Sequence, residues 1–429
     1  MASFLRSSSL TVLSTVGVTV CGLFTSVLTA RLLGPEGRGL LAAVILIATL
    51  AARSAQLGLG SAFVYFVKSR RAGPMAVLLP AAASLVTLAA AALALLGTHL
   101  SSGRGVENLS WLTLLLSALM ALNTFVIAVS PLRSDLVFHN AARLLPNLGY
   151  ALALLPVLAL GLHVELPWLL GVQVLAYAGV NVASIVWMAR ARIWSAEASG
   201  AALGVVEFVR YGLLQHGTVL VGLLVLNFDK LIALGASSLA NFGFYALAFS
   251  VSRMIGSIQD ALSTALFSRY AGGSTQVLSE KVNFVFRLTF VPMLLVAALG
   301  ALLSPWVIPL LFGTAFRPVV TPFCVLLFEC VVGGASWTLA QRFVGAGRPG
   351  LVFFRQAIAA VPVLCAIPFV QGENLFVTLS YLMLAGAALR LAISWAMYPT
   401  VLGEPLPTPW PTRADLAYLG RLIKRQRSA

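Results

Sequence analysis

Arg53 and Arg253 each sit inside an apolar stretch of a 429-residue chain in which only 10% of residues are charged. An arginine stays protonated at any accessible pH. Placing one at the centre of a hydrophobic helix costs about 2.5–3.5 kcal/mol even on the lenient insertion scale, so each calls for a partner or a task. Arg53 follows Gly39 by 14 residues and Arg253 follows Gly243 by 10. At 1.5 Å per residue, that is roughly 21 and 15 Å into a helix. Polar neighbours recur at helical spacing around both: Thr49, Gln56 and Gly60 beside Arg53, and Ser250, Ser257, Asp260 and Thr264 beside Arg253. Two further stripes run through Thr11, Thr15, Thr19, Gly22, Ser26 and Thr29, and through Tyr211, Gln215, Thr218, Gly222 and Asp229. Residues spaced in this way share one helix face. Four wet faces turned toward a common cavity would coordinate an anion, with Arg53, Arg253, Gln56, Asp260 and Gln215 as its candidate ligands.

A second reading neutralises each arginine with a fixed carboxylate. Asp260 lies seven residues from Arg253, too far for a tight pair within one helix, and Arg53 has no acid in its span. The hydroxyls alone would serve helix packing equally well. Asp229 and Lys230, with Arg31 and Glu36, form either an outer gate or a pair that snorkels to the surface. Glu329 and Arg390 complete the set of charges inside apolar segments and belong to no stripe.

The elements that must hold these side chains follow from composition. At 60% hydrophobic residues the chain has too little polar surface for a soluble domain. Its apolar residues fall in blocks of about twenty, the length that crosses a ~30 Å hydrocarbon core. Spans are expected near 10–33, 40–66, 74–97, 111–131, 144–162, 166–189, 211–235, 242–267, 284–303, 318–338, 350–370 and 374–399. This predicts an all-α integral membrane protein of about twelve transmembrane helices. Residues 304–313, interrupted by Pro305 and Pro309, read as a re-entrant or interfacial piece.

Leu155-Pro156-Val157-Leu158 resembles Val361-Pro362-Val363-Leu364 at an offset of 206, Arg143 and Arg348 are 205 apart, and Gly39 and Gly243 are 204 apart. Three anchors at nearly one offset point to two pseudo-symmetric six-helix lobes. They would run over 1–190 and 211–400, joined by a cytoplasmic linker at 191–210 and followed by a basic cytoplasmic tail at 401–429. Parallel repeats of this kind place the substrate between halves that rock about it. In the tail, Thr412 would cap a short helix bearing Leu416, Leu419, Leu422 and Ile423 on one face.

The net charge of +15 is a matter of topology rather than of nucleic-acid binding. With the N-terminus inside, twenty cations fall in inner segments and five in outer ones. That satisfies the positive-inside rule and puts both termini in the cytoplasm. All four cysteines lie within spans and the four histidines are scattered. No metal cluster, phosphate loop or catalytic triad is present, and outer loops of at most about 17 residues leave no room for a catalytic domain. A transporter without cofactor is expected, not an enzyme.

Thr29-Ala30-Arg31-Leu32-Leu33-Gly34-Pro35-Glu36-Gly37-Arg38-Gly39 resembles the turn after the first span of bacterial polysaccharide flippases. These are the O-antigen and lipopolysaccharide exporters of the multidrug/oligosaccharidyl-lipid/polysaccharide superfamily. Gln56-Leu57-Gly58-Leu59, Asn227-Phe228-Asp229-Lys230 leading to Gly243-Phe244-Tyr245-Ala246, and Leu310-Leu311-Phe312-Gly313 are similar to further elements of that family. The resemblance implies a V-shaped cationic cavity lined by helices 1, 2, 7 and 8, and an undecaprenyl-pyrophosphate-linked oligosaccharide as substrate. It also implies the bacterial inner membrane as location. Membrane lipids, and a glycan polymerase or other assembly proteins, are the implied partners of a protein expected to be monomeric. The drug-exporting branch carries an acid in span 1, and none occurs between Leu10 and Ala30. A multidrug or metabolite exporter is the nearer alternative; a glycan polymerase or ligase is the more distant one.

Overall fold

Inside a bilayer no water is available to backbone N–H and C=O groups, so an apolar chain satisfies them within helices. The computed structural model describes residues 2–68, 75–101, 103–132, 136–190, 205–270, 275–370, 374–412 and 415. The side chains of some of these, Gln215 and Asp260 among them, lie outside the description. Among the described residues there is no strand. The helices are α1 (Ala2–Ser54), α2 (Leu59–Lys68), α3 (Met75–Leu100), α4 (Ser110–Val129), α5 (Leu136–Ala159) and α6 (Leu166–Arg190). After them come α7 (Val205–Ala236), α8 (Leu239–Tyr270), α9 (Thr275–Phe312), α10 (Val320–Gly345), α11 (Pro349–Ala366) and α12 (Leu375–Met397).

Nine helical stretches of the described residues are long and apolar enough to cross a membrane. The first of them makes two passes. Gly34, at φ 65° and ψ −176°, takes a conformation open essentially to glycine alone, and Pro35 starts the return helix. At 32 residues each, α7 and α8 are also long enough for one pass apiece. The fold is therefore an all-α membrane fold of about twelve spans. Its outer faces are apolar, as lipid contact requires. Leu295, Leu302, Trp306 and Leu310 of α9 are exposed, and Trp111 and Trp168 are exposed at the starts of α4 and α6.

The expectation of a re-entrant piece at 304–313 is corrected: α9 runs unbroken to Phe312 through Pro305 and Pro309. Pro305 cannot donate to the carbonyl of Ala301, which would normally break a helix. Here the Ser304 hydroxyl donates to that carbonyl at 2.7 Å and the Cys324 thiol approaches it at 3.7 Å. The orphaned acceptor is satisfied and the helix continues.

The chain forms two compact units, Met1–Gly243 and Phe244–Ala429. In the first, α1 packs on α3, α4 and α5 while α2 packs on α4 and α7. In the second, α10 lies against α9 and α12, and α11 against α12. Residues 191–204 of the expected linker and 416–429 of the tail, with its Leu416 to Ile423 face, lie outside the described residues.

The segment after α12 is tied to the second unit by two carboxylates. Glu404 accepts from Arg342 of α10 at 2.6 and 3.1 Å and from Ser279 of α9. Asp415 takes a two-pronged contact from Arg287 at 2.7 and 2.9 Å. Thr412 and Asp415 also exchange the reciprocal bonds of a capping box: the Thr412 N–H donates to Asp415 Oδ2 at 2.8 Å and the Asp415 N–H to the Thr412 hydroxyl at 3.2 Å. The Arg287 guanidinium holds the Asp415 carboxyl well below the usual aspartate range. A depressed carboxyl stabilises the folded state above its unfolded pKa and loses that contribution only as pH falls through the depressed value. The anchor should therefore persist at about pH 4, where a free aspartate is half protonated. Hydrogen exchange at the Thr412 amide is expected to be at least 10-fold faster in Asp415→Asn, matching about 1.5–3 kcal/mol for charge-assisted bonds. An unchanged rate would remove this role.

Candidate functional site

Arg53 occupies the last turn of α1, immediately ahead of a break in the second span. Residues 55–58 leave the helix before α2 resumes at Leu59, with Leu57 at φ 49° and Gly58 at φ 66°. A non-glycine residue in the left-handed region is strained and persists only where its surroundings hold it there. Three contacts supply the hold. Gln56 Nε2 donates to the carbonyls of Ala52 at 3.1 Å and Ala121 at 3.0 Å, fastening the break to α4. His216 Nε2 of α7 donates to the Ser54 carbonyl at 2.8 Å. Gly58 and Gly212 pack backbone to backbone, and a Cβ on Gly212 would stand 2.7 Å from the Leu57 carbonyl oxygen.

The α7 residues that make this dock share one face. Phe208 meets Phe63 with ring centroids 4.7 Å apart, Tyr211 stacks on Tyr65 at 4.6 Å, and Gly212 and His216 continue the row. The side chain of Arg53 is exposed, with no hydrogen bond or ion pair among the described residues. It lies within electrostatic range of the Tyr177 phenol on α6.

The opposite end of α7 is held as firmly. Arg104, in the loop after α3, donates to the carbonyls of Leu234, Gly235 and Ser237, the last at 3.0 Å, and so caps the α7 C-terminus. Nearby, a Cβ on Gly243 would lie 2.6 Å from the Pro35 carbonyl oxygen and 2.9 Å from the Gly39 nitrogen. Gly39 and Gly243, paired above only by their offset in sequence, touch.

In the second unit the charges form a cluster across three helices. Arg253 of α8 contacts Glu329 Oε2 of α10 at 2.5 Å, and its guanidinium also lies 4.4 Å from the Phe249 ring centre. Arg390 of α12 stands 3.7 Å from Glu329 Oε1. Glu329 is buried, with 2% of its side chain exposed, against 35% for Arg253. Arg355, near the start of the expected span 350–370, is buried within α11. One of its nitrogens donates to the Ser336 carbonyl, the Ser336 hydroxyl and the Ser394 hydroxyl at 2.7–2.8 Å.

A family model described as "Polysaccharide biosynthesis protein" matches residues 28–321, which include Arg53, Asp229, Lys230 and Arg253. The chain belongs to that family. Among solved structures, this polysaccharide biosynthesis protein is similar to the lipid II flippase MurJ in an inward closed conformation. The TM-score is 0.64 at 13% identity, over 89% of this chain and 87% of that one. A multidrug resistance MATE family transporter of the MOP superfamily, in an outward-facing conformation, matches with a TM-score of 0.59 at 15% identity, over 91% and 94%. A MOP superfamily transporter from Pyrococcus furiosus, described as having a binding pocket of reversed polarity, matches at 0.54 and 14%, over 94% and 96%. These identities speak for the fold alone. No curated protein matches by sequence.

Within this member of the family, the structure places the expected site residues in different settings. Arg53 is exposed beside a helix break. Arg253 is bound to the carboxylate of Glu329; the side chain of Asp260 lies outside the described residues, as does that of Gln215. The amide nitrogen of Gln56 is engaged by backbone. Part of the hydroxyl stripe on the first span is spent on its own helix: Thr19 and Thr29 donate to the carbonyls of Thr15 and Thr25 at 3.0 and 2.7 Å. Asp229 is fully buried and pairs with Lys230 at 3.4 Å, so the snorkelled reading does not hold for it; Arg31 is exposed. Sequence reasoning missed Glu329 as the partner of Arg253 and missed the break itself. The Gln56-Leu57-Gly58-Leu59-Gly60 run, rich in glycine within a span, was its one local signal.

Proposed function

We propose that this protein is a flippase. It carries an undecaprenyl-pyrophosphate-linked oligosaccharide from the inner to the outer leaflet of the bacterial inner membrane, by alternating access through a cationic cavity and with both termini in the cytoplasm. The observation that carries this reading is Arg53: an exposed intramembrane cation, without a carboxylate among the described residues, next to a broken helix. Interrupted helices near the bilayer midplane are where transporters of several folds expose polar groups to substrate. A guanidinium recognises phosphate oxygens through planar, charge-assisted hydrogen bonds. In this reading Arg53 and Arg253 take over the diphosphate from water, with Gln215 and Asp260 contacting the sugars and Gln56 holding the break. The six-helix lobes move about the bound ligand while the polyprenyl tail stays in lipid. Asp229, Lys230 and Arg31 close the outer side. With the cell interior negative, each exported negative charge gains ~2.3 kcal/mol per 100 mV, enough to favour release outward without a coupled ion.

Membership of a polysaccharide family and the flippase-like fold support this assignment over an enzymatic one. Thermal unfolding of the purified protein separates it from the exporter alternative. Polyprenyl diphosphate is expected to raise the midpoint by several degrees at concentrations well above its Kd, and a cationic dye is expected to leave it unchanged. Stabilisation by the dye alone would overturn the proposal in favour of a drug exporter.

A further inference from the structure

Glu329 sits where an inbound anion would have to go. Its two oxygens are divided between two arginines from different helices, Oε2 with Arg253 at 2.5 Å and Oε1 with Arg390 at 3.7 Å, and its side chain is 2% exposed. Gly333, one turn further along α10, leaves Oε1 3.6 Å from the place a Cβ would occupy, and Gly386, one turn before Arg390, does the same for Arg390 Nη1. The Arg253 side chain is 35% exposed, so the contact is open from one side. A buried carboxylate held by two guanidiniums, one of them accessible, is an anion site already filled by a group of the chain itself.

Resting on the function proposed above, we infer that Glu329 is a specificity-determining residue: an internal anion that must be displaced from Arg253 and Arg390 before either binds substrate. The exchange involves no covalent step. A guanidinium leaves a carboxylate oxygen and takes a phosphate oxygen. Whether the exchange is favourable depends on the incoming group. A lipid with a single phosphoryl group, whether a phospholipid diester or a polyprenyl monophosphate, has no second phosphoryl to reach the other arginine, so it does not replace Glu329 at both guanidiniums. A diphosphate brings two linked phosphoryl groups, enough to engage both arginines at once and so to stand in for each carboxylate oxygen. The membrane around the protein consists of monophosphodiester lipids at enormous excess. A preoccupied site excludes them where an empty cationic site would be saturated, which is discrimination by an unfavourable competing term rather than by a better fit.

The test measures binding of undecaprenyl diphosphate and undecaprenyl monophosphate to the full-length protein in nanodiscs, by quenching of intrinsic tryptophan fluorescence. Wild type is expected to prefer the diphosphate by at least 10-fold. In Glu329→Gln that preference should collapse to within about 3-fold because the monophosphate binds more tightly, and Glu329→Asp should restore it. Arg390→Gln leaves Glu329 to Arg253 alone and is expected to weaken diphosphate binding about 10-fold with no gain for the monophosphate. It serves as the check if Glu329→Gln is not monodisperse. An unchanged preference in Glu329→Gln, or an unchanged diphosphate affinity in Arg390→Gln, overturns the inference and leaves the proposed function standing. Wild-type protein that binds neither lipid overturns both.

Discussion

Replacing Arg53 by alanine is expected to reduce glycan export by roughly 100-fold while the protein still reaches the membrane and runs as a monodisperse species. Arg53 makes no hydrogen bond or ion pair among the described residues, so its removal costs the fold little. The loss should fall on the substrate. One guanidinium–phosphate contact at 4 Å is worth about 4 kcal/mol at an effective dielectric near 20, before desolvation is subtracted. If about 2.7 kcal/mol survives, the factor is about 100, since each 1.36 kcal/mol is tenfold. Lysine keeps the charge but not the planar fork, and Arg53→Lys should recover part of the activity only. Transfer of a polyprenyl-diphosphate glycan across proteoliposomes reads both variants. Wild-type rates in Arg53→Ala would mean that the exposed cation faces lipid headgroups rather than cargo.

Gly39→Val is expected to have the largest effect on stability. A Cβ at Gly39 would collide with the Leu239 carbonyl, a backbone atom that cannot swing aside, and Gly243 crowds the same spot. Forcing two helices apart in a packed interior costs typically 1–3 kcal/mol, occasionally more, and here the first turns of two long helices must separate. A fall in Tm on the order of 5 °C or more follows. Gly22→Val in the same α1 is the control, because nothing lies within 4 Å of its Cβ position. Equal melting of the two variants would show that the Gly39–Gly243 contact carries no stability.

Much of the fold was legible before any coordinates. Apolar blocks of bilayer length make helices inevitable, because lipid offers the backbone no other partner. The motif around Gly34 and Pro35 marks the reversal that the φ of 65° at Gly34 accomplishes. What stayed hidden was set by tertiary partners. Pro305 reads as a breaker until Ser304 and Cys324 are seen to serve the carbonyl it orphans. Leu57 is as apolar as its neighbours, so hydropathy runs straight across the break it helps to make. Arg53 announces itself by having no acid in its span. The partner of Arg253 lies 76 residues away on another helix, at a distance no periodicity reaches. Arg355 lies near the start of the expected span 350–370, and it is buried among serines of α10 and α12. Composition places a charge in the membrane; only packing decides what it answers to.

The interruption at residues 55–58 also changes what counts as a moving part. Above it the second span is continuous with Gly39 and meets α3 where Ile47 packs on Gly97; below it, Leu59–Lys68 is bound by Phe63 and Tyr65 to Phe208 and Tyr211, while His216 of the same α7 holds the Ser54 carbonyl above. A single pass of chain thus answers to two masters, and four residues form a swivel between them. Torque applied to α7 would reach the backbone beside Arg53 through Gly212 and His216 without first dragging the whole of α1 along.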